Sequence, residues 1–249
     1  CAGPADGRDR TLAPTAGMSE PQFEPLGDDA LLVRFGERID ADLNLQVHQL
    51  SARLRDRAPR WLRDLVPAYA SLAVFFDAGQ GLDTDPHALV RQVIETLMSA
   101  PSSRPVADGT LHEIPVCYGG AYGEDLADAA RTLGLDTASL IARHSAPVYT
   151  VAMIGFAPGF PYLLGLDPAL ALPRLATPRT RVPAGSVAIG GAQAGLYPRE
   201  SPGGWRLLGR TPSVLFDAER AQPALLQPGD RVRFVPIDEA AFRRLTDAP

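Results

Sequence analysis

The feature that most constrains the fold of this chain is a stretch rich in glycine and proline that apolar segments interrupt at regular intervals. Residues 155–209 contain ten glycines and eight prolines, nearly three times the usual share of about 12% for the two together. That composition alone would be typical of disorder. Strand-length apolar segments, however, recur at residues 149–154, 186–189, 205–208, 214–216 and 231–235. The pattern therefore predicts a β-barrel with long, shaped loops, and only β structure after Val148.

The residues before this stretch alternate between strand and helix patterns. Strands are predicted at residues 30–35, 66 and 71–76. The carboxylates of Asp40 and Asp85 suit the position that caps the start of a helix, and Pro86 suits the first helical position. The order strand, helix, strand, strand, helix is typical of a small α/β sandwich.

The composition of residues 100–109 is that of a linker and predicts a domain boundary near residue 105. We therefore predict an α+β chain, with an N-terminal α/β domain at residues 18–105 and a β-barrel domain at residues 106–249. A strand at residues 112–117 and two short helices precede the barrel segments of the second domain. Residues 1–17 lack a hydrophobic centre and are expected to form a disordered extension before Met18.

Charge and cysteine usage exclude several classes of protein. The sequence contains no lysine, so arginine supplies all 24 basic side chains, and 29 acidic residues leave a net charge of -5. This charge gives no support to nucleic-acid or acidic-membrane binding, and a lysine Schiff base is excluded. Cys1 and Cys117 have no near partner in the sequence, so we predict neither a disulfide scaffold nor a metal site. No apolar run approaches the roughly 20 residues that cross a bilayer, so we expect a cytoplasmic protein.

Three loops, at residues 155–162, 177–186 and 200–205, combine glycine, proline, arginine and aromatic residues. Glycine lets backbone amides approach a ligand, and arginine supplies a planar fork for carboxylate or phosphate. The loops could therefore form an anion-binding cleft. In the alternative interpretation, glycine and proline only turn barrel corners while the core is filled by Phe156, Phe160, Tyr162 and Trp205.

Arg179 and Arg181 have the same parity along an extended segment, so both are expected on one face of a strand. Two guanidinium groups there would repel each other unless an acid or a bound anion lay between them. The alternative is two solvated surface arginines. Ser186 and Ser201 lie close to glycines, at positions suited to hydrogen bonding with a ligand.

His144 is predicted in the last turn of a short helix that Pro147 ends. The helix dipole there would favour the charged imidazole, so His144 could serve as an acid or base at neutral pH. A histidine that only caps the end of the helix remains an alternative.

Residues 204–211 match the spacing of a phosphate-binding loop, with Arg210 in the place of the usual lysine. Trp205, Leu207 and Leu208 are too bulky for a loop that wraps its amides around a phosphate, and they alternate as in a strand. We therefore predict a strand here and no nucleotide cradle.

A series of motifs follows in order along the second half of the chain, at residues 116–120, 123–126, 144–147, 155–162, 177–186, 197–198, 201–205 and 209–212. Together they resemble the motifs of the PxpB/KipI family, whose members have been called the B-type subunit of 5-oxoprolinase, allophanate hydrolase subunit 1 and sporulation-kinase inhibitor. The resemblance extends from about Phe23 to about Phe242 and implies a small N-terminal α/β domain followed by a cyclophilin-like β-barrel.

The resemblance also implies a function. The enzyme form of the family acts with a PxpC (KipA-like) subunit to phosphorylate the lactam oxygen of 5-oxoproline, using ATP with Mg²⁺, and a PxpA-like subunit completes ring opening to glutamate. The alternative is a KipI-like regulator that inhibits a sensor histidine kinase. Peptidyl-prolyl isomerisation has only the barrel fold in its favour.

On this resemblance we expect Arg179 and Arg181 to bind substrate carboxylate or phosphate, and His144 to act as an acid, a base or an orienting group. The other expected substrate-binding residues are Phe156, Tyr162, Ser186, Ser201, Trp205 and Arg210. In this assignment the serines and Tyr162 donate hydrogen bonds, and Trp205 forms a wall of the site.

Overall fold

The computed structural model describes residues 20–80, 85–100 and 109–247, and its first part is a sheet covered by two helices. The elements are β1 (Gln22–Pro25), β2 (Ala30–Arg34), α1 (Ala41–Arg57), β3 (Leu62–Pro67), β4 (Ser71–Phe76) and α2 (Pro86–Ser99). The strands form an antiparallel sheet in the order β1-β2-β4-β3. The predicted extension and the residues around the predicted boundary near 105 lie outside the described residues, so those domain limits stay predictions.

Both helices begin where the sequence predicts. The side chain of Asp40 accepts hydrogen bonds from the amides of Asp42 and Leu43, and that of Asp85 accepts one from Ala88. One face of each helix packs on the sheet and completes an apolar core. Its buried members are Leu31, Val33, Phe35, Val47, Leu50, Leu54, Trp61, Leu65, Leu72, Val74, Phe76, Val90 and Ile94.

The remaining elements build the barrel and its attachments. They are β5 (Leu111–Tyr118), α3 (Leu126–Thr132), α4 (Thr137–Ser145), β6 (Val148–Ile154), β7 (Pro161–Leu164), β8 (Arg179–Val182), β9 (Ser186–Gly190), β10 (Gln193–Leu196), β11 (Ser201–Gly203), β12 (Arg206–Arg210), β13 (Arg231–Ile237) and α5 (Glu239–Thr246). The barrel closes in the order β10-β7-β6-β13-β5-β12-β9, and β8 pairs with β11 as a separate ribbon. The predicted fold class is therefore confirmed.

Two predictions about the second half are wrong. Residues 214–216 form no strand: Leu215 is buried, but the backbone makes only an isolated bridge from Phe216 to Ala224. Structure after Val148 also includes a helix, α5, which begins where the carboxylate of Asp238 accepts a hydrogen bond from the amide of Ala241. This cap, in a segment without the alternating pattern of a strand, favours the helix.

The buried side-chain amide of Asn44 bonds the N-terminal part to the barrel. Asn44 on α1 donates from its side chain to the carbonyl oxygens of Ala68 (3.1 Å) and Tyr69 (3.2 Å) in the β3–β4 turn, and to that of Ala152 (3.3 Å) on β6. The turn is therefore held against the outside of the barrel. Within the described ranges, no helix is long and apolar enough to cross a membrane.

Candidate functional site

A row of cross-strand partners on the outside of the barrel leaves space for large aromatic rings. The row crosses β7, β10, β9 and β12. Tyr162, Gly195, Ala188 and Leu207 are successive partners across these strands. Their sequence neighbours Leu163, Ala194, Val187 and Leu208 point into the barrel core, as strand alternation requires. The two middle positions of the row are therefore small.

Aromatic rings fill that space and form what we call the aromatic face: Phe160, Tyr162, Tyr197 and Trp205. The ring centre of Phe160 lies 4.9 Å from that of Tyr162, 5.1 Å from that of Tyr197 and 5.8 Å from that of Trp205. Glycine is required beneath the rings, because a Cβ on Gly190 would come within 2.7 Å of the Trp205 ring. Glycine here provides close packing of backbone against aromatic side chains.

Phe156 lies at the edge of the aromatic face but outside the core. Its side chain is 61% exposed, and its ring contacts Phe160 edge-on at 5.3 Å. Its backbone has φ of 65°, in the left-handed region that costs a residue with a Cβ about 1 kcal/mol or more. The interpretation of these rings as core residues therefore holds for Phe160 and Trp205, and in part for Tyr162. It does not hold for Phe156, which faces solvent.

Arg179 on β8 is held by a carboxylate from the turn before α3. Its Nη2 donates to Asp125 at 2.6 Å, and Glu124 lies 3.6 Å from its Nε. The hydrogen bond to Asp125, followed by the charges of Asp125 and Glu124, raises the pKa of Arg179 against the opposing effect of burial. Asp125 also accepts a hydrogen bond from the amide of Leu207 at 2.7 Å. This carboxylate therefore fixes the guanidinium relative to β12.

One nitrogen of Arg179 is buried and unsatisfied. Its Nη1 has no hydrogen-bond partner among the described residues. A guanidinium held on one side by a carboxylate, with a free N–H group on the other, is able to bind a further anionic or carbonyl oxygen.

Arg181 has a different environment although it shares the parity of Arg179. It forms a bidentate ion pair with Glu200, with both N···O distances at 2.9 Å, and its side chain is 75% exposed. Arg179 and Arg181 therefore form separate ion pairs, and in each pair a carboxylate neutralises the guanidinium charge.

Ser186 and Arg210 are partners across β9 and β12, whereas Ser201 lies on the separate β8–β11 ribbon. Ser186 is fully buried, and its hydroxyl donates to the carbonyl of Pro183 at 2.7 Å. Ser201 is half-buried at the start of β11. Arg210 ends β12 and lies over the ring of Tyr122 at 5.9 Å. Trp205 and Arg210 thus flank opposite ends of that strand.

The structure places His144 inside the barrel core. It is fully buried, its ring stacks on Phe234 at 4.8 Å, and its Nδ1 lies 2.8 Å from the Tyr118 hydroxyl. Burial lowers the pKa of His144 to about 3. The expectation that the helix end would favour a charged imidazole is therefore wrong, because desolvation of the charged form outweighs the dipole.

Neither a phosphate loop nor a metal centre is present in the described part of the chain. Residues 206–210 of the phosphate-loop lookalike are strand β12, as predicted. No group of three or more His, Cys, Asp or Glu side chains there could hold a metal ion. Cys117 is a free, buried thiol.

Comparison with known proteins decides the family. Residues 21–226 match the carboxyltransferase domain, subdomain C and D. The chain belongs to this family. It is 41% identical over 228 residues to the B-type subunit of 5-oxoprolinase from Bacillus subtilis (strain 168), an alignment covering 89% of this chain and 95% of the relative. The B-type subunit from Escherichia coli O157:H7 is 40% identical over 215 residues, covering 86% of this chain and 95% of the relative. The resemblance to the PxpB/KipI family is thereby confirmed.

Solved structures of the family share the fold. The structure of TTHA0988 superposes with a TM-score of 0.73 at 40% sequence identity and covers 84% of this chain. This chain spans only 40% of the TTHA0988 chain. The family fold thus occurs within a longer polypeptide as well as in chains of this length.

Sequence reasoning missed two contributors to this surface. Asp125 lies within one of the family motifs, but nothing in the sequence marks it as the partner of an arginine 54 residues away. Tyr69 comes from the N-terminal part, and its ring lies 6.1 Å from that of Tyr162. Its position follows from the Asn44 contacts, which no local pattern indicates.

Proposed function

We propose that this chain is the B-type subunit of a 5-oxoprolinase, which acts with a C-type (PxpC/KipA-like) subunit to phosphorylate the lactam of 5-oxoproline with ATP and Mg²⁺. A PxpA-like subunit would then complete ring opening to glutamate. The observation that carries the proposal is the identity of about two-fifths to two B-type subunits, along nearly their whole length. The longer TTHA0988 chain further supports a function beside another polypeptide segment.

The chemistry explains why arginine is suited to this site. A lactam resists hydrolysis because resonance delocalises its nitrogen lone pair into the carbonyl. Phosphorylation of the lactam oxygen weakens this resonance. Negative charge then develops on the reacting oxygens, and fixed hydrogen-bond donors stabilise it. The free Nη1 of Arg179 is such a donor, and Asp125 orients it.

The aromatic face supplies the remaining parts of the proposed site. The exposed ring of Phe156 forms a wall for a flat ring, and the half-buried Tyr162 supplies a hydrogen bond from its hydroxyl. Trp205, only 5% exposed, supports Phe156 from below through Phe160. Arg181, Ser201 and Arg210 border the same loops and are proposed to contact substrate or partner. The proposal gives His144 and Ser186 structural roles, because both are buried with partners inside the protein.

ATP and Mg²⁺ are proposed as cofactors of the assembled complex. The described residues fit neither a phosphate loop nor a three-ligand metal site. Phosphoryl transfer normally uses Mg²⁺ to neutralise the phosphates, and ATP with Mg²⁺ is proposed to bind in the assembled complex. This chain would be inactive alone.

Substitution of Arg179 in the assembled complex tests the proposal. Glutamate release from 5-oxoproline is measured with the C-type and A-type subunits present. We expect Arg179→Gln to reduce kcat by about 10²–10³-fold, the usual cost of removing one donor to a developing oxyanion. The control is Arg233→Gln, on an exposed barrel position paired with Glu113, which should leave turnover unchanged. Turnover by Arg179→Gln at the wild-type rate would remove Arg179 from the site, and no turnover by the wild-type complex would overturn the proposed function.

A further inference from the structure

A cavity of about 250 Å³ lies between helix α1 and the outer wall of the barrel. Side chains from both parts of the chain line it: Ala41, Leu45 and His48 from α1, and Val148, Thr150 and Leu164 from the barrel. None of the four rings of the aromatic face contributes to its lining. The cavity is therefore separate from the candidate site described above.

One row of cross-strand partners builds the barrel wall of the cavity. Thr150 on β6 pairs with Leu164 on β7 and with Arg231 on β13. Residues that oppose each other in this way have Cβ atoms about 4.5–5.5 Å apart. The residues next to them in the sequence point into the barrel core instead: Tyr149, Val151, Leu163 and Val232. Strand alternation thus presents Thr150, Leu164 and Arg231 together toward α1.

Glycines leave the space between helix and barrel unfilled. Gly165 follows β7 with φ of 108°, and Gly229 precedes β13 with φ of 93°. Glycine adopts this left-handed backbone without steric cost. A Cβ on Gly229 would lie 4.0 Å from the Nδ1 of His48, so this nitrogen faces the gap that the glycine leaves.

The hydrogen bonds of Asn44 decide which nitrogen of His48 carries the proton. The Asn44 side-chain nitrogen donates to three backbone carbonyls, so its oxygen is left as an acceptor. The Nε2 of His48 lies 3.1 Å from that oxygen and therefore donates to it. In the neutral imidazole the other nitrogen, Nδ1, then carries the lone pair and accepts a hydrogen bond.

The surroundings of His48 favour a neutral ligand that donates. Burial lowers the pKa of His48, and the charge of Arg55 lowers it further, against the opposing effect of the Ala152 carbonyl. Among the described lining residues none is acidic, so a cationic ligand would find no carboxylate there. An anion would be repelled by the lone pair on Nδ1. A neutral hydroxyl or N–H group, by contrast, is able to donate to it.

We propose that this cavity binds a small uncharged molecule that has an apolar body and one hydroxyl or N–H group. The polar group donates to the Nδ1 of His48, and the hydroxyl of Thr150 supplies a second hydrogen bond. The apolar body lies against Leu45, Val148 and Leu164. Leu45 and Val148 are 48% and 39% exposed, and the ligand would cover both.

The volume of the cavity suits a ring with a short polar arm, because an apolar cavity of about 150 Å³ already accommodates benzene. Such a ligand contacts α1 and the barrel at the same time. Its binding therefore stabilises the docking of the two parts. The site adds a second ligand to the chain beyond the proposed function and requires no partner subunit.

Three probes with the same ring test the site in the full chain. Benzyl alcohol has the hydroxyl, ethylbenzene has a methyl group in its place, and benzoate is an anion. Each is titrated at about pH 7.5, where the imidazole is neutral, and nitrogen–proton correlation spectra are recorded. We expect benzyl alcohol to shift the amide signals of the lining residues Gly109, Gly165 and Gly229. The amide signal of Gly190, beneath the Trp205 ring of the aromatic face, should not move.

Variants of the lining residues separate the polar contacts from the apolar ones. His48→Phe keeps a ring without the acceptor, and Thr150→Val keeps the shape without the hydroxyl. Each should weaken benzyl alcohol about 2–10-fold, the usual effect of one hydrogen bond, and leave ethylbenzene unchanged. Leu45→Gln should weaken both probes, because it removes apolar surface. His87→Phe, on α2, is the matched control and should leave both unchanged.

Three results would overturn the site: an affinity for benzyl alcohol that His48→Phe does not change, tighter binding of benzoate than of benzyl alcohol, or no shift of the three glycine amides with any probe. Unfolding midpoints show whether each variant folds. If His48→Phe does not fold, Thr150→Val and Leu45→Gln decide, and unchanged affinity in both would overturn the site. Turnover of the assembled complex does not enter these measurements, so the site and the proposed function fail separately.

Discussion

The imidazole of His144 is enclosed by Tyr118, Tyr149 and Phe234, and Tyr149 also donates its hydroxyl to the His144 carbonyl at 2.8 Å. These three neighbours are uncharged, so none of them would stabilise a positive charge on the imidazole. The side chain therefore acts as a core residue with one polar contact, to Tyr118.

The low pKa of His144 predicts acid sensitivity of the fold. The pKa is about 3 in the folded chain and about 6.5 when unfolded, so the unfolded state binds more protons between these values. Stability from the neutral imidazole is complete above about pH 6.5 and is lost as the pH falls toward 3. We expect His144→Gln to flatten the fall in the free energy of unfolding between pH 7 and pH 4.5, measured by urea denaturation. His87→Gln is the control, and an unchanged slope in His144→Gln would contradict the burial argument.

The two arginine–carboxylate pairs on β8 should differ in their contribution to stability. Asp125 is 7% exposed and supports both Arg179 and the Leu207 amide. Asp125→Ala should lower the free energy of unfolding by about 1–3 kcal/mol, because it leaves buried donors unpaired. Glu200→Ala should have a smaller effect, since both partners of that pair lie in solvent. Chemical denaturation measures both, and an equal loss from the two variants would contradict the difference in burial.

At the scale of elements, close backbone packing explains the position of α3. Gly123, just before this helix, lies so near β12 that a Cβ would come within 2.0 Å of the Leu208 carbonyl oxygen. The turn carrying Asp125 therefore reaches β12 only with glycine at this position.

Substitution of that glycine should displace the turn. We expect Gly123→Ala to cost about 1–3 kcal/mol of unfolding free energy, the range of overpacked sites. Gly79→Ala is the control, since its nearest neighbour would be 3.4 Å away. Thermal unfolding followed by circular dichroism compares the two, and equal midpoints would show that β12 and the turn adjust without cost.

Elements with strong local signals could be predicted from the sequence, and those set by tertiary pairing could not. Helices α1 and α2 have capping carboxylates and apolar faces, and β4 is a continuous apolar run. Strand β11, by contrast, is Ser-Pro-Gly, and its pairing with β8 depends on the surrounding loops. Phe160, Tyr162 and Trp205 of the aromatic face were singled out from their loops, whereas Tyr197 was not. Their contact with Tyr69 was not predicted, because it spans two parts of the fold.

At the scale of the whole molecule, Asn44 couples the two parts. The side chain is 1% exposed and bridges the β3–β4 turn to β6. The sequence contains two tryptophans, Trp61 in the N-terminal core and Trp205 on the aromatic face. Each part thus has its own fluorescent reporter.

Removal of the Asn44 amide should uncouple unfolding of the two parts. In Trp61→Phe and Trp205→Phe backgrounds, the remaining tryptophan should give the same denaturation midpoint. With Asn44→Ala added, the two midpoints should separate, because the contact carbonyls lose their shared donor. Gln92→Ala on the surface of α2 is the control. Coincident midpoints after Asn44→Ala would show that other contacts join the parts.

The most direct test of the central claim is the coupling of ATP use to lactam opening in the reconstituted complex. ADP and glutamate are measured together, with 5-oxoproline as substrate, in the presence and absence of this chain. The account predicts equal amounts of ADP and glutamate when the chain is present, and neither product above background when it is omitted. Glutamate release at the same rate without the chain, or ADP formation that does not require 5-oxoproline, would contradict it.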